Sequence, residues 1–148
     1  MEVFAAFKGV EHRLELVRVL GGVDYINDSK ATTAEAGRWA LSTIEKPILM
    51  ICGGRDKHID FGVLKDLVRG KVKKMYLIGE AREKLKSTFS GVTPFMECDS
   101  LEDAVASARR EARAGECVVL SPMCASFDMF RDYEHRGKVY KDIVNSLS

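Results

Sequence analysis

The chain has 148 residues, 46% of them hydrophobic and 30% charged, a balance that suits a soluble globular domain with its own core and excludes a disordered or membrane-embedded chain. Lys and Arg number 23 against 22 Asp and Glu, and a formal net charge of +1 provides no bulk attraction for nucleic acid or an anionic membrane. We therefore expect one domain over residues 1–148, cytoplasmic, with no signal peptide in Met1–Lys8 and no apolar run long enough for a bilayer.

Apolar runs and helical stripes alternate along the chain. Leu14, Val17 and Leu20 predict an amphipathic helix over roughly 11–20, stopped by Gly21-Gly22. Val23–Asn27 follows as a short strand, then a helix from Thr33 to Ile44 carrying Ala36, Ala40, Leu41 and Ile44 at helical spacing. Ile48–Cys52 is continuously apolar and ends at Gly53-Gly54, as a strand buried on both faces would. The pattern continues with a helix near 61–68, a strand at Met75–Ile78, a helix near 81–89 and a weaker strand at Pro94–Met96. Ser100 opens a capped helix that Gly115 closes, Cys117–Leu120 is the last strand, and a stripe from Tyr133 through Arg136, Tyr140 and Val144 to Leu147 marks a final helix. This βα alternation predicts an α/β fold: a three-layer α/β/α, Rossmann-like domain around a mainly parallel sheet.

Ligands of such sheets bind beyond the carboxyl ends of the strands, which selects Asp28–Thr33, Gly53–Asp60 and Ser121–Arg131. Asn27-Asp28-Ser29-Lys30-Ala31-Thr32-Thr33 combines a carboxylate, an ammonium, three hydroxyls and the amides of a helix start, enough to hold an anion. Equally, Ser29 or Thr32 caps the helix and the charges face water. Gly53-Gly54-Arg55-Asp56-Lys57 allows close approach and offers two cations, yet is neither a P-loop nor G-x-G-x-x-G; a plain glycine turn has the same composition.

In Ser121-Pro122-Met123-Cys124-Ala125-Ser126-Phe127-Asp128 the thiol of Cys124 lacks the C-x5-R spacing of a phosphatase loop and has no histidine nearby in sequence, so a structural cysteine is the simpler expectation. No C-x-x-C pair joins Cys52, Cys98, Cys117 and Cys124, which we expect to be reduced. His12, His58 and His135 stand apart, so no metal site is expected. Trp39 is expected to pack in the core or at an interface.

Together, Glu11-His12-Arg13, the 27–32 block, Gly53-Gly54 through Lys57, and the 121–128 block with Arg136-Gly137 resemble, in order and spacing, the C-terminal domain of the Mur ligases. The 27–32 and 121–128 blocks resemble the D-glutamate-adding branch, and the similarity runs from about residue 9 to 147. The resemblance implies an ATP-dependent amide ligase of peptidoglycan synthesis with three domains. The first binds UDP-N-acetylmuramoyl-L-alanine, the second carries the P-loop and Mg2+, and the third brings D-glutamate. It implies D-glutamate contacts from Thr32, Lys57, Ser126 and the Phe127 backbone with Tyr133 alongside, and ATP contacts from His12, Arg13, Asp28 and Lys30. Asp28 would suit ribose hydroxyls and the cations phosphate. Without a Walker A motif, the chain would contribute binding but not turn over alone. Two other readings stay open: a non-catalytic α/β module for an anion or nucleotide, and a thiol hydrolase acting through Cys124.

Overall fold

Gly21 and Gly22 both take positive φ, 61° and 78°, and together form a two-residue turn. The structure is a computed structural model that describes residues 11–55, 58–126 and 129–148. The turn joins β1 (Glu15–Leu20) to β2 (Val23–Asn27), which pair antiparallel with Leu20 opposite Val23. The helix expected over 11–20 is therefore a strand. The three-residue spacing of Leu14, Val17 and Leu20 mimics a helical stripe. However, two consecutive positive-φ glycines match the twist of a hairpin, and β-branched Val17 and Val19 suit a pleated edge. A bulge between Leu16 and Arg18 shifts the register and further obscures the alternation.

The other strands fall where the apolar runs place them: β3 (Ile48–Gly53), β4 (Val72–Ile78), β5 (Phe95–Glu97) and β6 (Cys117–Leu120). They form one six-stranded sheet in the order β1-β2-β6-β3-β4-β5, and every pairing except β1 with β2 is parallel. The helices are α1 (Ala34–Thr43), α2 (Lys65–Lys71), α3 (Arg82–Phe89), α4 (Leu101–Glu111) and α5 (Tyr133–Asn145), with a 3-10 turn at Phe61–Leu64 leading into α2. Side-chain oxygens of Thr33, Ser100 and Asp132 cap α1, α4 and α5 by accepting from Ala36, Asp103 and His135 amides. α4 stops at Glu111, short of Gly115, whose amide instead donates to the Gly22 carbonyl at 2.9 Å.

Two apolar layers sandwich the sheet. On one face Ile26, Met50, Cys52, Leu77 and Val119 pack with Leu41 of α1, Val68 of α2 and Leu85 of α3. On the other, Tyr25, Ile51, Tyr76 and Val118 pack with Val105 of α4 and Tyr140 of α5. Because β3 is buried at every position, it needs the unbroken apolar run seen in the sequence.

β6, last in sequence, lies between β2 and β3. The helices that follow β2 and β3, α1 and α2, pack on one face of the sheet, whereas α5, which follows β6, packs on the other. Diverging exits from neighbouring parallel strands open a crevice at their carboxyl ends. Gly54 lines this region at φ 141°, where a Cβ would stand 2.4 Å from the Ala125 carbonyl oxygen and 3.1 Å from Cys124 Cβ. Gly54→Ala should lower stability by about 2–4 kcal/mol, from left-handed strain and overlap together. Gly91, at φ 79° with open space around it, should cost about 1–2 kcal/mol when made Ala. Urea denaturation midpoints of the two variants test this ordering.

Candidate functional site

Backbone hydrogen bonds stitch the three strand-end loops together. Asp28 N donates to Leu120 O at 2.8 Å, Met123 N to Ala31 O at 2.8 Å, Gly53 N to Pro122 O at 2.9 Å and Arg55 N to Ala125 O at 2.8 Å. Arg136 of α5, only 1% exposed, passes beneath them. Its Nε donates to Ser29 Oγ at 2.9 Å, Nη2 to Ser29 O at 2.8 Å and Nη1 to Cys124 O at 3.0 Å. Two of the three loops picked from the sequence thus meet on one guanidinium, and the third is tied to them through Gly53 and Arg55. The sequence reading gave Arg136 no task, although a charged residue on the apolar stripe of the last helix was the available signal.

Asp28 is 3% exposed. Its Oδ1 accepts from Leu14 N at 3.1 Å and its Oδ2 from Ser121 Oγ at 3.0 Å. Burial pushes the carboxyl up to about 7, against the opposing pull of the Leu14 amide, the Ser121 hydroxyl and the nearby Arg13. The carboxyl also lines a cavity of about 180 Å³ with Arg13, Lys30, Ala31, Ala36 and Trp39. Arg13 and Lys30 are exposed at this cavity, and among the described residues neither makes a side-chain hydrogen bond or ion pair. Trp39, expected in the core or an interface, is 43% exposed and forms a wall of the same cavity, so core packing does not hold.

His12 takes a different place from its sequence neighbour Arg13. Its ring is 5% exposed, with Nδ1 2.9 Å from the Asn27 amide nitrogen, which assigns the ring proton to Nε2. Asn27 donates as well to Glu15 Oε1 at 3.1 Å and accepts from Ser29 N at 3.1 Å, so the whole polar cluster is fixed. The ring sits where a Cβ on Gly137 would be, 2.1 Å from His12 Nδ1. This explains the glycine after Arg136 and makes His12 part of the scaffold beside the cavity.

Of the expected amino-acid contacts, Ser126 is 2% exposed, and its carbonyl accepts from Met129 N at 3.0 Å and Phe130 N at 2.8 Å. Thr32 is half-buried at the start of the turn into α1. The Tyr133 carbonyl accepts from Ser29 Oγ at 2.7 Å, and its ring meets His12 edge-on at 6.0 Å. Lys57 and Phe127 lie outside the described residues. Cys124 is fully buried and holds Arg136 through its carbonyl, a structural placement at odds with an attacking thiol. All four cysteines are buried thiols outside any disulfide.

Glu11, His12 and Glu15 are the one trio among the described residues whose donor atoms come close enough for a metal ion. Lys141 Nζ already bridges the two carboxylates, at 2.6 Å from Glu11 Oε2 and 3.3 Å from Glu15 Oε2. The ammonium supplies the charge that a metal would bring, and the trio does not fit Mg2+.

The sequence model of the Mur ligase glutamate ligase domain matches residues 12–124. The chain belongs to this family. Among curated relatives, the Mur ligase domain is 49% identical over 146 residues to the UDP-N-acetylmuramoylalanine–D-glutamate ligase of Chlorobaculum tepidum, which covers 99% of this chain and 31% of that protein. It is 50% identical over 142 residues to that of Chloroherpeton thalassium, covering 96% and 30%. The chain therefore spans about a third of the length of the curated relatives it matches. The fold matches a bifunctional folylpolyglutamate synthase/dihydrofolate synthase from Yersinia pestis, with TM-score 0.65 at 13% identity over 91% of this chain and 31% of that one. It also matches a domain of a putative UDP-N-acetylmuramate:L-alanyl-γ-D-glutamyl-diaminopimelate ligase from Haemophilus ducreyi, with TM-score 0.52 at 14% identity over 75% and 88%. Among the described residues of the Mur ligase domain, no helix is long and apolar enough to cross a membrane.

The buried Asp28 carboxyl gives a pH-dependent stability whose sign follows from linkage. Below its ordinary value of 3.8 both folded and unfolded chains hold the proton. Between there and about 7 only the folded chain does, so stability falls as pH rises, by up to about 4 kcal/mol, and levels off above. Asn at this position can accept from Leu14 and donate to Ser121. Asp28→Asn should therefore remove this slope, and the difference between the two stability–pH curves measures it.

Proposed function

We propose that the chain is the C-terminal, amino-acid-binding domain of an ATP-dependent ligase that adds D-glutamate to UDP-N-acetylmuramoyl-L-alanine. The observation that carries this is the pair of cations, Arg13 and Lys30, without a side-chain ion pair among the described residues, at a cavity on the sheet's switch point. Such a pair suits the phosphates of a nucleotide. The acceptor chemistry comes from the relatives' names, shared at about half of the aligned positions along nearly the whole chain. A Yersinia pestis folylpolyglutamate synthase of the same fold has been crystallised with AMPPNP and Mn, in keeping with nucleotide use.

In this reaction phosphoryl transfer from ATP to the substrate carboxylate gives an acyl phosphate and ADP. The amine of D-glutamate attacks the acyl carbon and loses a proton, and the tetrahedral intermediate expels phosphate. This chain orients the reactants. Arg13 and Lys30 hold phosphate oxygens, and the remaining acceptor capacity of Asp28 faces ribose hydroxyls. Thr32, Lys57 and Ser126, with the Phe127 backbone, hold the two carboxylates of D-glutamate, and Tyr133 lies beside them. Mg2+ and the P-loop belong to another domain of the enzyme.

The chain alone should release no phosphate from ATP, with or without D-glutamate; turnover by it would end this assignment. In the complete ligase, losing a charge-assisted hydrogen bond to a carboxylate should cost about 1.5–3 kcal/mol, roughly 10- to 150-fold in affinity. Lys57→Ala should thus raise the KM for D-glutamate more than that for ATP, and Arg13→Ala the reverse. A reversed bias in the paired saturation curves would exchange the two subsites. Cys124→Ala should keep most of the activity, and loss of turnover in a folded Cys124→Ala enzyme would favour thiol chemistry instead.

A further inference from the structure

Trp39 is a wall of the cavity to which the proposed function gives no task. It is the single tryptophan of the chain, on α1 one turn beyond Ala36, which lines the same cavity. The guanidinium carbon of Arg13 stands 5.2 Å from the centre of its ring, within the range of cation–π attraction.

The Arg13 backbone is fixed independently of the indole. His12 and Leu14 on either side hold left-handed φ of 66° and 45°, and Leu14 N is bound to buried Asp28. The root of the side chain is set, and what remains free is the swing of the long stem. Among the described residues the indole is what holds that stem, since Arg13 makes no hydrogen bond or ion pair there. A guanidinium over an aromatic ring is held through its face, so its N–H donors remain available at the edge for phosphate oxygens. A carboxylate partner would instead consume those donors and cancel the charge.

We propose that Trp39 is a positioning residue for Arg13, holding the guanidinium across the mouth of the cavity in the orientation that a nucleoside triphosphate requires. This rests on the nucleotide role of Arg13 proposed above. An aliphatic side chain at 39 fills the space but does not attract a cation, whereas Phe retains the attraction.

The test is a cycle of variants in the complete ligase, read as KM for ATP against KM for D-glutamate. Trp39→Leu should raise the ATP KM about two- to fivefold, the worth of an exposed cation–π contact, with a smaller movement of the D-glutamate curve. Trp39→Phe should recover most of the loss. In an Arg13→Met background Trp39→Leu should add nothing. An unchanged ATP KM in Trp39→Leu, or an equal further loss in the Arg13→Met background, overturns the positioning role alone. An unchanged ATP KM in Arg13→Met overturns the nucleotide reading of the site, and this inference with it. In this chain, where Trp39 is the only indole emitter, Arg13→Met should shift the fluorescence; an identical spectrum overturns the stacked pair itself.

Discussion

The site depends on burying one guanidinium. Removing an ion from water costs several kcal/mol after relaxation, and the cost is offset only where every donor finds a partner. Arg136 directs three N–H donors of its planar fork at Ser29 and at the Cys124 carbonyl, which belong to different loops. The loops are therefore not independent: the fork is satisfied only when the segments after β2 and β6 stand at one separation relative to α5. Lysine, a compact point charge without the planar fork, would not reproduce this fixed geometry. Gly54 shows how tightly the third loop closes over the same group, since a Cβ there would lie 3.4 Å from Arg136 Nη1.

Around this clamp, charges divide by depth. Asp28 and His12 lie inside, Asp28 bound to the Leu14 amide and the Ser121 hydroxyl and His12 to Asn27, and they serve as fixed posts. Arg13 and Lys30, beside them in sequence, reach the surface. The left-handed turn at His12 and Leu14 produces the separation by sending alternate side chains of one short segment inwards and outwards. Gly137 completes it, because any larger residue on α5 would displace the His12 ring.

Much of this was legible in the sequence where the physics is local. Continuous apolar runs give buried parallel strands, and Ser100 announces its helix by capping chemistry, whereas α1 is capped by Thr33 rather than by Ser29 or Thr32. The strand-end rule selected the three loops that meet. The failures share a cause: each depends on what lies across space. The segment 11–20 has a helical spacing of leucines and valine, and only pairing with β2 makes it a strand. Trp39 looks like core from composition, yet it is 43% exposed at the cavity, with the Arg13 guanidinium over its ring. Arg136 was visible as a charge on an apolar stripe, but its partners, Ser29 and Cys124, are remote in sequence and nothing local marks them. The turn that buries His12 while leaving Arg13 exposed is likewise not visible from adjacency.

The exposure of the two mouth cations has a consequence for how such a domain binds. Two unit charges 4 Å apart attract by about 1 kcal/mol in bulk water, and by about 4 kcal/mol at the effective dielectric of a protein surface. Arg13 and Lys30 face solvent in the described structure, so by themselves they sit near the weaker limit. The rigid posts behind them are already desolvated, and that cost is met in folding rather than in binding. On the proposed reading, what remains to be supplied is a second surface that excludes water from the mouth without repositioning any group. A chain that spans a third of its relatives' length leaves ample protein to provide that surface. On that proposed reading recognition lies in this domain and dryness in its closure against the rest of the enzyme, and the cations would reach full strength only once the reactants are enclosed.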